Sequence, residues 1–119
     1  MGDFSRSDRI GAEMQRELAL LLRLSVKDQR LSNVTIQEVR VTRDLSYAKV
    51  YYTHMGQGLD KKLDKALAGA AGYFRKKLSG SMQLRTIPQL QFVYDKSIED
   101  GLRLSALIEK ANADNRQED

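Results

Sequence analysis

Residues 67–80 read LAGAAGYFRKKLSG. The segment has the apolar spacing of a helix, yet Gly69 and Gly72 stand inside it, just ahead of Arg75, Lys76 and Lys77. Each interior glycine costs a helix about 1 kcal/mol relative to alanine. Wound at about 100° per residue, Leu59, Leu63, Leu67, Ala70, Phe74 and Leu78 fall on one arc, and Lys61, Lys65, Gly69, Gly72 and Lys76 fall on the opposite one. The apolar phase survives through both glycines, which favours a kinked helix over a looped interruption. Three readings of the pair compete. The glycines could cap one helix before a second begins, or allow close packing, or bare the backbone to an approaching phosphate flanked by lysines and Arg75. Close packing is disfavoured because the glycines point away from the apolar arc.

Outward from this segment the chain reads as one domain. Before it lies NVTIQEVRVT, residues 33–42, rich in β-branched residues and so a strand. Val34 and Ile36 share one phase and Val39 and Val41 the other, which predicts a bulge near Gln37–Glu38. Arg43, Asp44, Leu45 and Ser46 form a turn, and YAKVYYTHM from Tyr47 is a second strand with Ala48, Val50 and Tyr52 on one face. After the central helix, PQLQFVYD from Pro88 is a third strand, with Leu90, Phe92 and Tyr94 alternating and Pro88 at its edge. Ahead of the strands, Ser5 and Asp8 resemble a capping box. They open a long amphipathic helix with Ile10, Met14, Leu18 and Leu21 at helical spacing and Leu20, Leu22 and Leu24 widening the stripe. KDQRLSN, residues 27–33, is a polar connection, and Gly56 and Gly58 mark the entry to the second helix. Ser97 and Asp100 would cap a short last helix bearing Ile98, Leu102, Leu104, Leu107 and Ile108. The stretch 111–119 is acidic and poor in apolar residues, and is expected to be disordered. Three strands cannot bury both faces of their sheet, so an α+β domain with helices packed on one face follows.

Composition narrows the function. The chain has 119 residues, no cysteine, one histidine and a net charge of +4. Disulfides, thiolate chemistry and cysteine-zinc sites are therefore excluded. No apolar run reaches the roughly 18 residues of a membrane span, and the opening MGDFSRSDRI has no apolar core of a secretory signal. A cytoplasmic protein is expected. Basic residues concentrate between Lys61 and Arg85, where Lys61, Lys62, Lys65, Arg75, Lys76, Lys77 and Arg85 face only Asp64. Such local concentration points to a nucleic-acid partner more than net charge does.

Several motifs carry a resemblance to a known family. Ala70-Ala71-Gly72, ahead of an aromatic and a basic run, resembles the Ala-x-Gly helix kink of the bacterial ribosome-binding factor A family. VTRDLSYAKVYYT from Val41 is similar to that family's hairpin. PQLQFVYDKSIEDGLRLSALI from Pro88 is similar to its terminal motif, with Tyr94-Asp95, Ser97, Gly101 and Arg103, and SDRIGAEMQRELALLL to its first helix. Gln29 stands where the family commonly has proline. The resemblance implies a single KH-like domain of bacterial-ribosomal topology over residues 5–110, in which the kink replaces the usual Gly-x-x-Gly loop. It further implies a monomeric, cytoplasmic assembly factor. That factor would bind 16S rRNA in the immature small ribosomal subunit, support processing of the rRNA 5′ end and aid growth in the cold.

The candidate RNA-binding residues are Ala70, Ala71 and Gly72 at the kink, then Arg75, Lys76 and Lys77, with Lys76 best placed and Lys77 nearer the apolar edge. Lys61, Lys62 and Lys65 extend the face, and Arg85 follows it. Arg6 and Arg9 begin the first helix, where cations oppose the helix dipole and a phosphate would explain them. Tyr73 is a possible stacking residue, whereas Arg43 and Asp44 are assigned to the hairpin turn and His54 to a strand end. No phosphate loop, nucleophile elbow or paired-histidine motif is present, so no enzyme, cofactor or metal is expected. The other readings are a general KH-like RNA-binding protein and a basic protein-interaction module.

Overall fold

The computed structural model describes residues 5–24, 29–54 and 60–117. The first helix, α1 (Arg6–Leu24), begins at the expected capping box. The Ser5 N–H donates to Asp8 Oδ2 at 3.1 Å, and the Asp8 N–H donates to Ser5 Oγ at 3.2 Å. Ile10, Met14, Leu18 and Leu22 are its buried stripe, while Leu20 and Leu24 face outward, so the apolar face is narrower than the leucine content suggests. Burying each such side chain stabilises the fold by roughly 1.5–3 kcal/mol. Gly11 lies on the same buried face, where a Cβ would sit 2.6 Å from the Val39 carbonyl oxygen. Helix and strand thus approach backbone to backbone at this point.

The segment read as a polar connection contains a short helix, α2 (Gln29–Ser32). Leu31, the single large apolar residue of that segment, is buried and fastens it to the core. Gly56, Gly58 and Leu59 lie outside the described residues.

Strands β1 (Val34–Val41) and β2 (Tyr47–His54) are antiparallel. Their register slips between Ile36 and Glu38, where the shift in hydrophobic phase places it. The extra residue, Gln37, has its carbonyl satisfied by Gln15 Nε2 of α1 at 3.1 Å, and its own Nε2 donates to Thr53 Oγ1 at 3.0 Å. In the connecting turn, Asp44 Oδ1 accepts from Thr42 Oγ1 at 2.7 Å and from the Ser46 N–H at 3.0 Å. These bonds, the Thr42 hydroxyl foremost, hold the Asp44 carboxyl below its usual pKa range. Leu45 takes a positive φ of 63° and packs its side chain on the core.

Helix α3 (Lys61–Ser81) crosses from β2 to β3 (Gln89–Tyr94), which lies parallel to β2 and gives the sheet order β1-β2-β3. Asp60 caps α3, its side chain accepting from the Lys62 and Leu63 N–H groups. Leu63, Leu67, Phe74 and Leu78 are buried on the predicted arc and meet Ala48, Val50 and Tyr52 of the sheet in one core with the α1 stripe. Tyr52 donates its hydroxyl to Asp64 Oδ1 at 2.7 Å, tying the sheet to the helix. Burial first, and this bond second, push the phenol pKa up. Because α1 and α3 occupy one face of the sheet, the other face is open.

The last helix, α4 (Ser97–Gln117), departs from the sequence reading in two ways. Ser97 is not its cap: the Asp95 carboxylate accepts the Ser97 N–H at 2.9 Å, and the Asp100 N–H bonds to the Lys96 carbonyl. The Lys96 carbonyl takes the first helical bond, which puts the N-cap position at Lys96, and Asp95, just after β3, turns its carboxylate to the Ser97 N–H. The helix also continues to Gln117, through most of the stretch expected to be a disordered tail, in a sequence with good helix formers such as Ala111, Ala113 and Arg116. Leu104, Leu107 and Ile108 are exposed on it, so these apolar residues add nothing to the core.

Candidate nucleic-acid interface

Helix α3 presents two opposed faces. Inward are the four buried apolar residues; outward are Lys61, Lys65, Gly69, Gly72 and Lys76, all exposed. The row spans roughly 22 Å, fifteen residues at the helical rise of about 1.5 Å. Asp64, the one acid of the helix, is turned to Tyr52, so the outward row carries no carboxylate.

The helix is continuous through both glycines, which removes the capping alternative in which one helix ends and another begins. A Cβ at Gly69 or Gly72 would meet nothing within 4 Å, so close packing does not account for them either. The missing side chains leave the helix surface low. In a continuous helix the backbone N–H groups at these positions are already bonded along the axis. The glycines therefore admit a backbone to close range without themselves supplying free donors. The donors are the flanking ammonium groups.

Around Gly72 the surface is concave. Gly72, Arg75, Lys76, Ser79 and Ile87 line a hollow of about 290 Å³. Beside it Tyr73, Lys76, Lys77 and Gly80 line a second of about 420 Å³. Lys76 borders both. Lys77 is exposed, and its Nζ lies 5.7 Å from the centre of the Tyr73 ring, where sequence reasoning had allowed it to lie along the core.

Two candidates serve the fold as well as the surface. Arg75 donates from Nε to the Pro88 carbonyl at 3.1 Å and from Nη2 to the Ile87 carbonyl at 2.9 Å. It clamps the chain at Ile87 and Pro88, just before β3, while also lining the hollow. Ala70 is half-buried and packs against the core, so it is not an outward residue; Ala71 is half-buried beside it. Lys62 is exposed next to Lys61.

Arg85, Arg6 and Arg9 are exposed but line neither hollow. Ser7, Asp8 and Ala12, from the same first turns of α1 as Arg6 and Arg9, line a separate groove with Glu38 to Val41 of β1. Sequence reasoning missed Ser79, Gly80 and Ile87 as lining residues. Only Gly80, just after the basic run, carried a signal. Asp60 was missed as the cap, although an aspartate three residues before the Leu63–Leu67 repeat is such a signal. His54 ends β2 with a buried Nδ1 that finds no hydrogen-bond partner among the described residues. Among those residues no group of three His, Cys, Asp or Glu could hold a metal, and no helix is long and apolar enough to cross a membrane.

Comparison with known proteins gives this geometry a context. The family model described as ribosome-binding factor A matches residues 6–108. The ribosome-binding factor A of Stutzerimonas stutzeri is 52% identical over 119 residues, covering 97% of this chain and 92% of that protein. That of Nitrosomonas europaea is 49% identical over 110 residues, covering 92% and 94%. Among structures, the crystal structure of ribosome-binding factor A from Thermus thermophilus superposes with a TM-score of 0.67 at 25% identity, over 74% of this chain and 93% of that one. A Thermus thermophilus homology model fitted into the cryo-EM map of a 30S complex superposes with a TM-score of 0.62 at 26% identity, over 72% and 91%. The fold shared with these structures is KH-like.

Proposed function

The chain belongs to the ribosome-binding factor A family, and on that premise we propose that it is a non-enzymatic assembly factor of the small ribosomal subunit. It binds 16S rRNA in immature subunits, as a monomer in the cytoplasm, and supports late maturation, including processing of the rRNA 5′ end and growth in the cold. The domain responsible is residues 5–110, with 111–119 an acidic extension.

The observation that carries this reading is the outward row of α3. Two exposed lysines, Lys61 and Lys65, precede a pair of glycines and a third, Lys76, follows it, and above the glycines there is open space. A helix face of that shape fits the sugar-phosphate backbone of folded RNA, because lysines supply charge while the glycines let the strand settle between them. The fitted 30S complex of the Thermus relative supports the choice of the small subunit. Such a footprint stabilises one rRNA conformation only by as much as the protein binds it better than the alternative. Preference for the immature conformation then gives release on maturation without any chemical step.

Sedimentation tests the proposal. At physiological salt the protein should travel with precursor small subunits, weakly with mature ones and weakly with large subunits. Equal occupancy of small and large subunits would reduce it to a general polyanion binder.

A further inference from the structure

The open face of the sheet, opposite α1 and α3, has a composition that fold stability does not require. Tyr47, Lys49 and Tyr51 of β2 point outward, alternating with the buried Ala48, Val50 and Tyr52. Arg40 of β1 and Gln91 of β3 flank Lys49 in register on either side. Together with Val41 and Thr42 these residues line a hollow of about 450 Å³.

Three features of this hollow point to one kind of occupant. Tyr47 keeps 61% of its surface exposed, so its ring is open to solvent on this face. Arg40 lies with its guanidinium carbon 5.4 Å from the centre of the Tyr51 ring. Arg40 and Lys49 are directly opposed cross-strand partners, which sets two cations side by side on this face, an arrangement unfavourable in a sheet. Glu38 pairs with Arg40 at 3.1 Å at the margin, and Asp95 acts on the same guanidinium from β3's end, but no acid lines the hollow itself. Rings for stacking, cations between them and an amide at Gln91 are the elements with which a sheet takes up unpaired bases and their phosphates.

We infer that this sheet face is a second RNA-binding surface, one that takes a single-stranded segment with bases stacked on Tyr47 and Tyr51 and phosphates on Arg40 and Lys49. Tyr47 and Tyr51 stand roughly 13 Å apart along the strand, four residues at about 3.3 Å each. Lys49 lies between them. The surface deepens the RNA-binding reading above, because with α3 on the opposite side the protein would hold two separate RNA segments at once.

The probe is a fluorescein-labelled twelve-nucleotide oligoadenylate, with a twelve-base-pair RNA duplex for comparison. Tyr47→Leu removes the ring from an exposed site while leaving an apolar side chain, and Tyr47→Phe keeps the ring. Tyr47→Leu should weaken oligoadenylate binding at least about fivefold, with the salt slope unchanged because no charge is lost. Tyr47→Phe should retain binding, and Tyr51→Leu, checked by thermal melting, should add to the loss. Wild-type affinity in Tyr47→Leu would overturn the inference. So would a similar loss in Tyr47→Phe, which would assign the effect to the hydroxyl. Self-association of the protein that vanishes in Tyr47→Leu would give the face to a second copy of the chain and also overturn it. The glutamine variant of Lys61, Lys65 and Lys76 separates the two surfaces. It should lose precursor-subunit binding while keeping the Tyr47-dependent binding of oligoadenylate. Failure of the α3 reading alone would reverse that pattern on the subunit and leave the oligoadenylate result standing.

Discussion

Gly11→Leu should destabilise the fold by about 2–3 kcal/mol, with a fall in melting temperature on the order of 10 °C. Leucine is a far better helix former than glycine, so a helix considered alone would gain. The loss comes from the new Cβ, which would stand 2.6 Å from the Val39 carbonyl oxygen. That oxygen belongs to a strand hydrogen-bonded to β2 and cannot swing aside as a side chain end would. Either α1 lifts from the sheet, uncovering Met14 and Leu18, or β1 bends at its bulge. The same change on α3 should have the opposite sign. Gly72→Leu enters open space and should stabilise the fold by up to about 1 kcal/mol through helix propensity. Thermal and urea unfolding of both variants measure the contrast. Two changes of equal sign would mean that the glycines are not used differently.

Replacing Lys61, Lys65 and Lys76 together with glutamine should produce the largest loss of RNA binding of any change in the outward face. If each lysine neutralises one phosphate, the slope of log affinity against log salt should fall by roughly 2.1 to 2.7. All three are exposed, and glutamine propagates a helix nearly as well as lysine. The melting temperature should therefore stay close to that of the parent chain. Gly72→Leu distinguishes shape from charge on the same face. It fills the hollow bounded by Arg75, Lys76, Ser79 and Ile87, so affinity should drop while the salt slope holds. A folded Gly72→Leu protein with full affinity would show that the strand does not settle at this glycine. An unchanged slope in the lysine variant would move the footprint to other cations, with Arg6, Arg9 and Arg85 next.

The architecture was legible because its signals are periodic. The buried arc of α3, the alternation of Ala48, Val50 and Tyr52, the phase slip at Gln37 and the Ser5–Asp8 box all follow from spacing alone. What the sequence concealed depends on contacts between distant residues. Gly11 looks like any helical glycine until β1 is laid against it, and Arg75 looks like a surface cation until the chain before β3 returns to offer two carbonyls. Leu31 was hidden in a polar segment, and only the core position it occupies makes four residues helical there. The lysine row was readable as a face, but not the concavity at Gly72, which needs Ile87 from a different part of the chain. At the start of α4 the competition was local. Ser97 has the look of a cap, but the helix starts one residue earlier, at the Lys96 carbonyl, and the Asp95 carboxylate takes up the Ser97 N–H.

Directed cleavage tests the central claim most directly. The chain has no cysteine, so a single cysteine gives one attachment point for an iron-based hydroxyl-radical source. Gly69→Cys and Ser79→Cys place it on the outward face of α3, and Leu107→Cys places it on exposed α4. Bound to precursor small subunits, the two α3 probes should cut 16S rRNA at overlapping positions and more strongly than the α4 probe. Cleavage from Leu107→Cys with none from Gly69→Cys or Ser79→Cys would contradict an rRNA footprint on α3.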